Sequence, residues 1–411
     1  MRLIYTLALH TYALFTALFS FFNRKARMIR LGQWRTNNIL RTKIDPHASY
    51  IWFHAASLGE FEQGRPLMEA IRRQHPRYKI LLTFFSPSGY EVRKNYDGAD
   101  VICYLPFDTP FRVKKFLNLA RPCMAIFIKY EFWMNYLREL KRRRIPTFVI
   151  SAIFRREQLF FRHYGRWYRR TLECFDRLFV QDRQSAQLLA EYGIAKVSIC
   201  GDTRFDRVLD IRRQARIFPL LDLFAGNGHC PVLVAGSTWP QDENLIIPYF
   251  NSHPGMKLII APHEIHREHL LDIESKLQRP SLRISETNQQ SVADKDCLII
   301  DSFGLLSSIY RYGRMAYIGG GFGRGIHNTL EAAVYGIPVI FGPGYHKFKE
   351  ARDLIALGGA FSPGNETAFV RLMDDLTARP ELRENTGAIV GEYVKQHTGA
   401  TERIMAELPF Q

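Results

Sequence analysis

Residues 314–342 read RMAYIGGGFGRGIHNTLEAAVYGIPVIFG. A continuous apolar run, RMAYIGG (314–320), leads into a loop with five glycines in seven positions. A helical stretch bearing Asn328 and Glu331 follows, then a second apolar run, GIPVIFG (336–342). Runs that are apolar throughout, rather than alternating, suit strands covered by helices on both faces, as in a parallel sheet. Loop glycines allow a phosphate close to the backbone, and Glu331, one turn into the helix, is placed to accept from ribose hydroxyls. The loop is not the dinucleotide fingerprint, because none of Gly319, Gly320 and Gly321 begins a G-x-G-x-x-G. Packing explains some of these glycines, but their density exceeds what packing needs.

The same rhythm extends in both directions. Upstream in the same half lie PVLVAGS (231–237), KLIIAP (257–262) and CLIID (297–301), with helical stretches between them. An earlier series comprises IWFHA (51–55), KILLTFF (79–85), MAIFIKY (124–130), TFVIS (147–151) and RLFVQ (177–181). The expected fold is α/β, with two Rossmann-like doubly wound domains at 31–205 and 231–395, a linker at 206–230 and a tail at 396–411. Such domains are expected to face across a cleft at the carboxyl ends of their strands. The 411 residues, 46% hydrophobic and 23% charged, exclude both a disordered chain and one small module. Six scattered cysteines without a C-x-x-C pair argue against a disulfide scaffold or a structural metal.

Charge divides the chain. Residues 1–200 carry 34 basic and 15 acidic side chains (+19), and residues 201–411 carry 22 and 25 (−3), out of a total of +16. A half this basic attracts anionic surfaces such as phosphorylated lipid, membrane or nucleic acid. Leu3 to Phe22 contains no Asp, Glu, Lys or Arg, and as a helix it would reach roughly 30 Å, one hydrocarbon thickness. It reads as a membrane anchor within residues 1–30, either spanning or lying in the interface. Arg24, Lys25, Arg27 and Arg30 follow it, which places the rest of the chain on the cytoplasmic face.

Candidate chemistry gathers at strand ends. HAASLGEFEQGRPLMEAI (54–71) runs from strand through small-residue loop to helix, so Glu60 sits near a helix N-terminus, where a carboxylate is expected to stay ionised and ready to accept a proton. A capping acid would occupy the same position. TFFSPSGYE (83–91) ends its strand in a turn that offers N–H groups and hydroxyls. IKYEFWMN (128–135) concentrates Lys129, Glu131, Trp133 and Asn135 as a sugar site would, or as an ion-paired strand end would. GSTWPQDE (236–243) and APHEIHREHL (261–270) offer hydroxyls and cations suited to a phosphate. His263, His266 and His269 lack the H-E-x-x-H spacing of a metal site.

Together these motifs resemble the 3-deoxy-D-manno-octulosonic acid (Kdo) transferases of lipopolysaccharide assembly. In order they are HAASLGE, TFFSPSGYE, YLPFDTP (104–110), KYEFWMN, GDTRFD (201–206), AGSTWPQDE, GGGFGRGIHNTLEAA and FGPGYHKFKEA. The resemblance implies a GT-B glycosyltransferase architecture with an N-terminal membrane segment at the inner membrane. It implies transfer of Kdo from CMP-Kdo, a substrate rather than a cofactor, to a lipid A precursor with inversion. Glu60 would be the general base, Arg204 would stabilise charge on the leaving phosphate, and Glu131 would be a second catalytic carboxylate. The family's nucleotide contacts carry over to Pro262, Gly304, Asn328 and Glu331, and by position to His263, Phe303, Thr329 and Leu330, while the strand-end and glycine-loop motifs add Ser237, Thr238, Gly321, Gly323 and His327 to the donor side. The strand-end motifs put Ser57, Gly59, Ser86, Ser88, Gly89 and Lys129 on the acceptor side. No metal and no nucleic-acid partner is expected.

Three positions depart from the family pattern: Lys129 for a Glu, His263 for an Arg, and Leu305 for a Glu. His263 trades a permanent forked cation for one charged only at lower pH. Two rival readings remain at this stage. One is a GT-B enzyme that uses a UDP-sugar on a lipid-linked acceptor. The other is a basic nucleic-acid binder built on KRRR (141–144), for which the sequence holds no recognisable module.

Overall fold

A computed structural model describes residues 2–226, 230–323 and 325–410. The chain forms two units, Met1–Arg207 together with Thr398–Gln411, and Val208–His397. The helix Thr203–Arg213 carries the chain across that division. A further helix, Pro219–Ala225, lies in the stretch read as linker, of which residues 227–229 fall outside the described ones.

The first unit holds seven strands: β1 (Ser49–Ala55), β2 (Tyr78–Phe84), β3 (Val101–Tyr104), β4 (Pro122–Ile128), β5 (Thr147–Ala152), β6 (Arg177–Val180) and β7 (Val197–Ile199). All neighbours pair in parallel, in the order β3-β2-β1-β4-β5-β6-β7. The order reverses between β1 and β4, where a doubly wound sheet opens at its carboxyl edge. In register, His54 lies between Thr83 and Phe127. Trp52 is fully buried against Phe116, Phe127 and Tyr136 at ring separations of 5.0, 5.2 and 5.5 Å.

Six helices of this unit matter below: α1 (Arg2–Phe19), α2 (Arg24–Lys43), α3 (Leu58–Gln74), α4 (Pro87–Arg93), α5 (Pro110–Ala120) and α6 (Met134–Arg142). The apolar N-terminal helix stops at Phe19, short of the expected Phe22, and Asn23 caps the next helix by accepting from the Ala26 N–H at 3.1 Å. The bend from α1 to α2 is 116°, and among the described residues no single helix is long and apolar enough to cross a membrane. One side of α1 is held to the unit: the Tyr5 hydroxyl donates to Asp108 at 2.8 Å, and Tyr12 meets the Phe107 ring at 5.6 Å. Leu3, Leu7, Leu14 and Phe19 remain mostly exposed.

The chain returns to the first unit in the helix Ala400–Glu407, so the segment read as a tail is part of that unit's core. Ile404 and Leu408 are buried in one cluster with Ile51, Phe53 and Phe148. Asp206 accepts from the Gly399 and Thr401 N–H groups, both at 2.6 Å, and from the Thr401 hydroxyl at 2.7 Å.

The second unit repeats the plan with β8 (Val232–Thr238), β9 (Lys257–Pro262), β10 (Ser281–Arg283), β11 (Cys297–Ile299), β12 (Met315–Ile318), β13 (Val339–Phe341) and β14 (Ala360–Phe361). These strands are also all parallel, in the order β10-β11-β9-β8-β12-β13-β14.

Candidate active site

In the first unit, the chain leaves β1 at Ala55 and enters α3 at Leu58, which puts Glu60 in the first turn. Its Oε2 accepts from the backbone N–H groups of Ala56 at 2.6 Å and Ser57 at 3.2 Å, so it does serve as a cap. The cap does not keep it a strong acid. Burial, followed by the nearby Glu131 charge, raises its pKa from 4.5 to about 7, against the pull of those two N–H groups and Lys129. The expectation of a fully ionised carboxylate is thereby corrected: loss of solvent outweighs the helix terminus.

Glu131 follows β4 and is nearly buried. Its Oε2 lies 3.0 Å from His54 Nε2 and accepts from Trp133 Nε1 at 2.6 Å. His54, fully buried on β1, is braced from behind: its Nδ1 lies 2.9 Å from Thr83 Oγ1, which accepts from Trp52 Nε1 at 2.8 Å. A chain of polar groups therefore runs Trp52, Thr83, His54, Glu131 and fixes the second carboxylate. His54 and Glu131 are 77 residues apart and meet only because β1 and β4 are neighbours. Sequence reasoning passed over His54, and its place at the head of HAASLGE was the one available signal.

Lys129 adopts the left-handed region at φ 67°, a conformation that costs a non-glycine residue about 1–3 kcal/mol. Its charge reaches Glu60, and both Arg204 and Glu60 act on the half-buried Tyr130 hydroxyl, so Glu60, Lys129, Glu131 and Arg204 form one electrostatic cluster. Arg204 forks onto Asp202, with Nε at 2.8 Å and Nη2 at 2.7 Å from Oδ2. Among the acceptor-side residues, Ser86 caps α4 by accepting from the Ser88 N–H at 3.2 Å, and its own N–H donates to Ala56 O at 2.7 Å, joining the two loops. Ser57 is half-buried and Ser88 exposed. Gly59 has open space around the position of a Cβ, whereas a Cβ on Gly89 would stand 2.3 Å from the Phe84 ring, so packing fixes that glycine.

In the second unit the glycine loop hangs from Asp242. This buried carboxylate accepts from Gly320 N–H and Trp239 N–H at 2.9 Å and from the Tyr317 hydroxyl at 2.8 Å. Burial raises its pKa while the three donors oppose that rise. Four of the five loop glycines answer to backbone geometry. Gly320 and Gly325 have φ of 92° and 104°, and a Cβ on Gly319 or Gly321 would lie 2.2 Å from Ser237 O or 2.6 Å from Gly342 Cα. Only Gly323 is free of such a demand, which corrects the view that the loop holds more glycine than packing needs. Nothing in the stretch GSTWPQDE marks Asp242 out, because the loop it holds lies 78 residues further along the chain.

The helix after the loop is only Leu330–Ala333, so Asn328 precedes it rather than riding on it. Asn328 Oδ1 accepts from Leu330 N–H at 3.2 Å and its Nδ2 donates to Glu331 at 3.0 Å, presenting an exposed amide–carboxylate pair. Leu330 is fully buried and Thr329 nearly so, which leaves their side chains in the core. Thr238 is buried and its hydroxyl donates to Glu243 at 2.9 Å. Ser237 takes a left-handed φ of 55° at the end of β8, and Gly304 one of 84°, next to the exposed Phe303. After the buried Pro262, His263 stacks on Trp239 at 4.6 Å and on His327 at 4.5 Å. Burial, then the His263 charge, lowers the His327 pKa to about 4, so it is neutral at physiological pH. His269 is bonded to Glu243 at 2.9 Å.

Two all-parallel doubly wound units, one ending in a pair of partly buried carboxylates and the other in a glycine loop, have the architecture of the GT-B class. The fold is similar to the UDP-GlcNAc 2-epimerase of Neisseria meningitidis bound to UDP-GlcNAc (TM-score 0.60, 14% identity, 87% of this chain and 98% of that one). It is likewise similar to the calicheamicin glycosyltransferase CalG4 (TM-score 0.56, 10% identity, 88% and 98%). The family model of 3-Deoxy-D-manno-octulosonic-acid transferase (kdotransferase) matches residues 25–207. Relatives of that name include one from Aquifex aeolicus (strain VF5), 29% identical over 84% of this chain and 92% of its own length. Another, from Bordetella pertussis, is 28% identical over 99% and 98%.

Proposed function

We propose that this chain transfers Kdo from CMP-Kdo to a lipid A precursor, with inversion at the anomeric carbon. The observation that carries the reading is the Glu60 carboxyl, with a pKa of about 7, at the carboxyl edge of β1 in reach of Glu131. A base with that affinity is half deprotonated near neutral pH, where general-base transfer works best. Glu60 takes the proton of an acceptor hydroxyl as its oxygen bonds to the anomeric carbon, and the bond from that carbon to the CMP phosphate oxygen breaks. Glu131, oriented by His54 and Trp133, accepts from a neighbouring sugar hydroxyl. Arg204 offers a cation to the departing phosphate. On the second unit, Asn328 and Glu331 suit the ribose hydroxyls, and the backbone of the glycine loop suits the phosphate.

The same reading places α1 in the cytoplasmic face of the inner membrane, its exposed apolar side in the lipid and its bonded side on the protein. No metal is required, since the leaving group already carries its phosphate and cationic side chains can offset the charge. The test is incubation with CMP-Kdo and a lipid A precursor, with product mass as the readout, alongside UDP-sugars and a chelated sample. Turnover with a UDP-sugar alone, or loss of activity on chelation that Mg²⁺ restores, would overturn the corresponding part.

A further inference from the structure

A cavity of about 570 Å³ lies where α1, α2 and the start of α5 meet. Its walls are largely apolar, with Leu31, Trp34 and Phe111 at 46%, 78% and 77% exposure around its mouth. Its polar lining is Thr16, Arg30, Gln33, Asn37, Arg112 and Lys115, three cations and no acid. Arg30 donates to Ser20 Oγ at 3.0 Å and Arg112 lies over the Phe107 ring at 5.6 Å, and neither they nor Lys115 pair with a carboxylate among the described residues. Gln33 supplies a second observation. It is 6% exposed, it lines the cavity, and its Nε2 is a buried donor without a hydrogen-bond partner among the described residues. An orphan donor costs about 1–3 kcal/mol, so it points to a missing acceptor.

We propose that this cavity seats one anionic glycerophospholipid of the bilayer. Its phosphate would meet Arg112, Lys115, Arg30 and the Gln33 amide, and its acyl chains would run along Leu31, Trp34 and Phe111 onto the exposed face of α1. Donors without acids select an anion, and apolar walls open at the surface select an amphiphile rather than a free phosphate. The ring series Phe107, Phe85, Trp133, at 5.8 and 5.1 Å, links the cavity wall to the Trp133 ring beside Glu131.

The seat rests on the bilayer placement proposed above, and the experiment tells the two apart. The full chain is partitioned onto vesicles of pure phosphatidylcholine and of phosphatidylcholine with phosphatidylglycerol. The expected result is a clear preference for the anionic vesicles, with Arg112→Ala/Lys115→Ala lowering that partitioning roughly tenfold. Gln33→Leu should reduce the preference without loss of thermal stability, because it removes an unpaired buried group. KM for the lipid acceptor in detergent micelles should be unchanged in all variants. Equal binding to both vesicles, or variants that bind like the parent, would overturn the seat alone, and binding to neither would overturn the membrane placement as well. A raised acceptor KM in micelles would assign the cavity to the acceptor and end the proposal.

Discussion

Replacing Glu60 by Gln separates the chemistry of the site from its energetics. The carboxyl shifts from 4.5 in the unfolded chain to about 7 in the fold. Below pH 4.5 it is protonated in both states and the shift has no effect. Between 4.5 and 7 the unfolded chain has released a proton that the fold still holds, so stability falls as pH rises, and above 7 the deficit is constant. At 1.36 kcal/mol per pH unit, that deficit comes to about 3 kcal/mol. The amide is isosteric, and its oxygen can still accept from the Ala56 and Ser57 N–H groups. Glu60→Gln should therefore be more stable than the parent at pH 8 by about 2–3 kcal/mol, a rise of roughly 5–10 °C in Tm for a unit of this size. The gain should shrink toward zero as the pH approaches 4.5. Activity should move the opposite way: kcat falls about 10²–10⁴-fold, and the inflection near pH 7 in the parent's kcat/KM profile disappears. Calorimetry at pH 5.5 and 8, paired with a pH-rate profile, tests both halves. A variant less stable than the parent at pH 8, or a parent inflection near 4.5, would refute the claim that burial and Glu131 control this group.

Asp242→Ala would leave Gly320 N–H, Trp239 N–H and the Tyr317 hydroxyl without their acceptor, and should cost the second unit about 3 kcal/mol or more in denaturant unfolding. Gly321→Ala forces a Cβ to 2.6 Å from Gly342 Cα and should destabilise by about 1–3 kcal/mol, whereas Gly323→Ala, 3.5 Å from the Gln241 side chain, should be close to neutral in the same assay. His263→Arg installs a permanent cation that can still stack on Trp239. It should lower KM for CMP-Kdo severalfold.

The inner strands were legible because burial on both faces writes itself as an unbroken apolar run: KLIIAP became β9 without change, and TFVIS became β5 with one residue added. The four strands that carried no such run, β3, β7, β10 and β14, are the two edges of each sheet. An edge strand is covered incompletely, and Val197, Ser198 and Ile199 of β7, like Ser281, Leu282 and Arg283 of β10, are all partly exposed. In the site, Glu60 and Glu131 could be found because each follows its own strand at a fixed offset. His54 could not, since its role depends on which strand lies beside β1, and that is a property of sheet order. The proton affinity of Glu60 was misjudged for a related reason: helix position is local and readable, whereas desolvation is set by everything packed around it.

The helix Ala400–Glu407 gives the first unit a late-arriving piece. During synthesis, residues 1–207 leave the ribosome with the floor beneath Phe53 and Phe148 still open, and it stays open until about 190 further residues have been made. Over that interval the nascent sheet offers an apolar face to chaperones. Truncation within residues 400–408 should therefore harm the first unit before the second, even though the second is the one it directly follows in the chain.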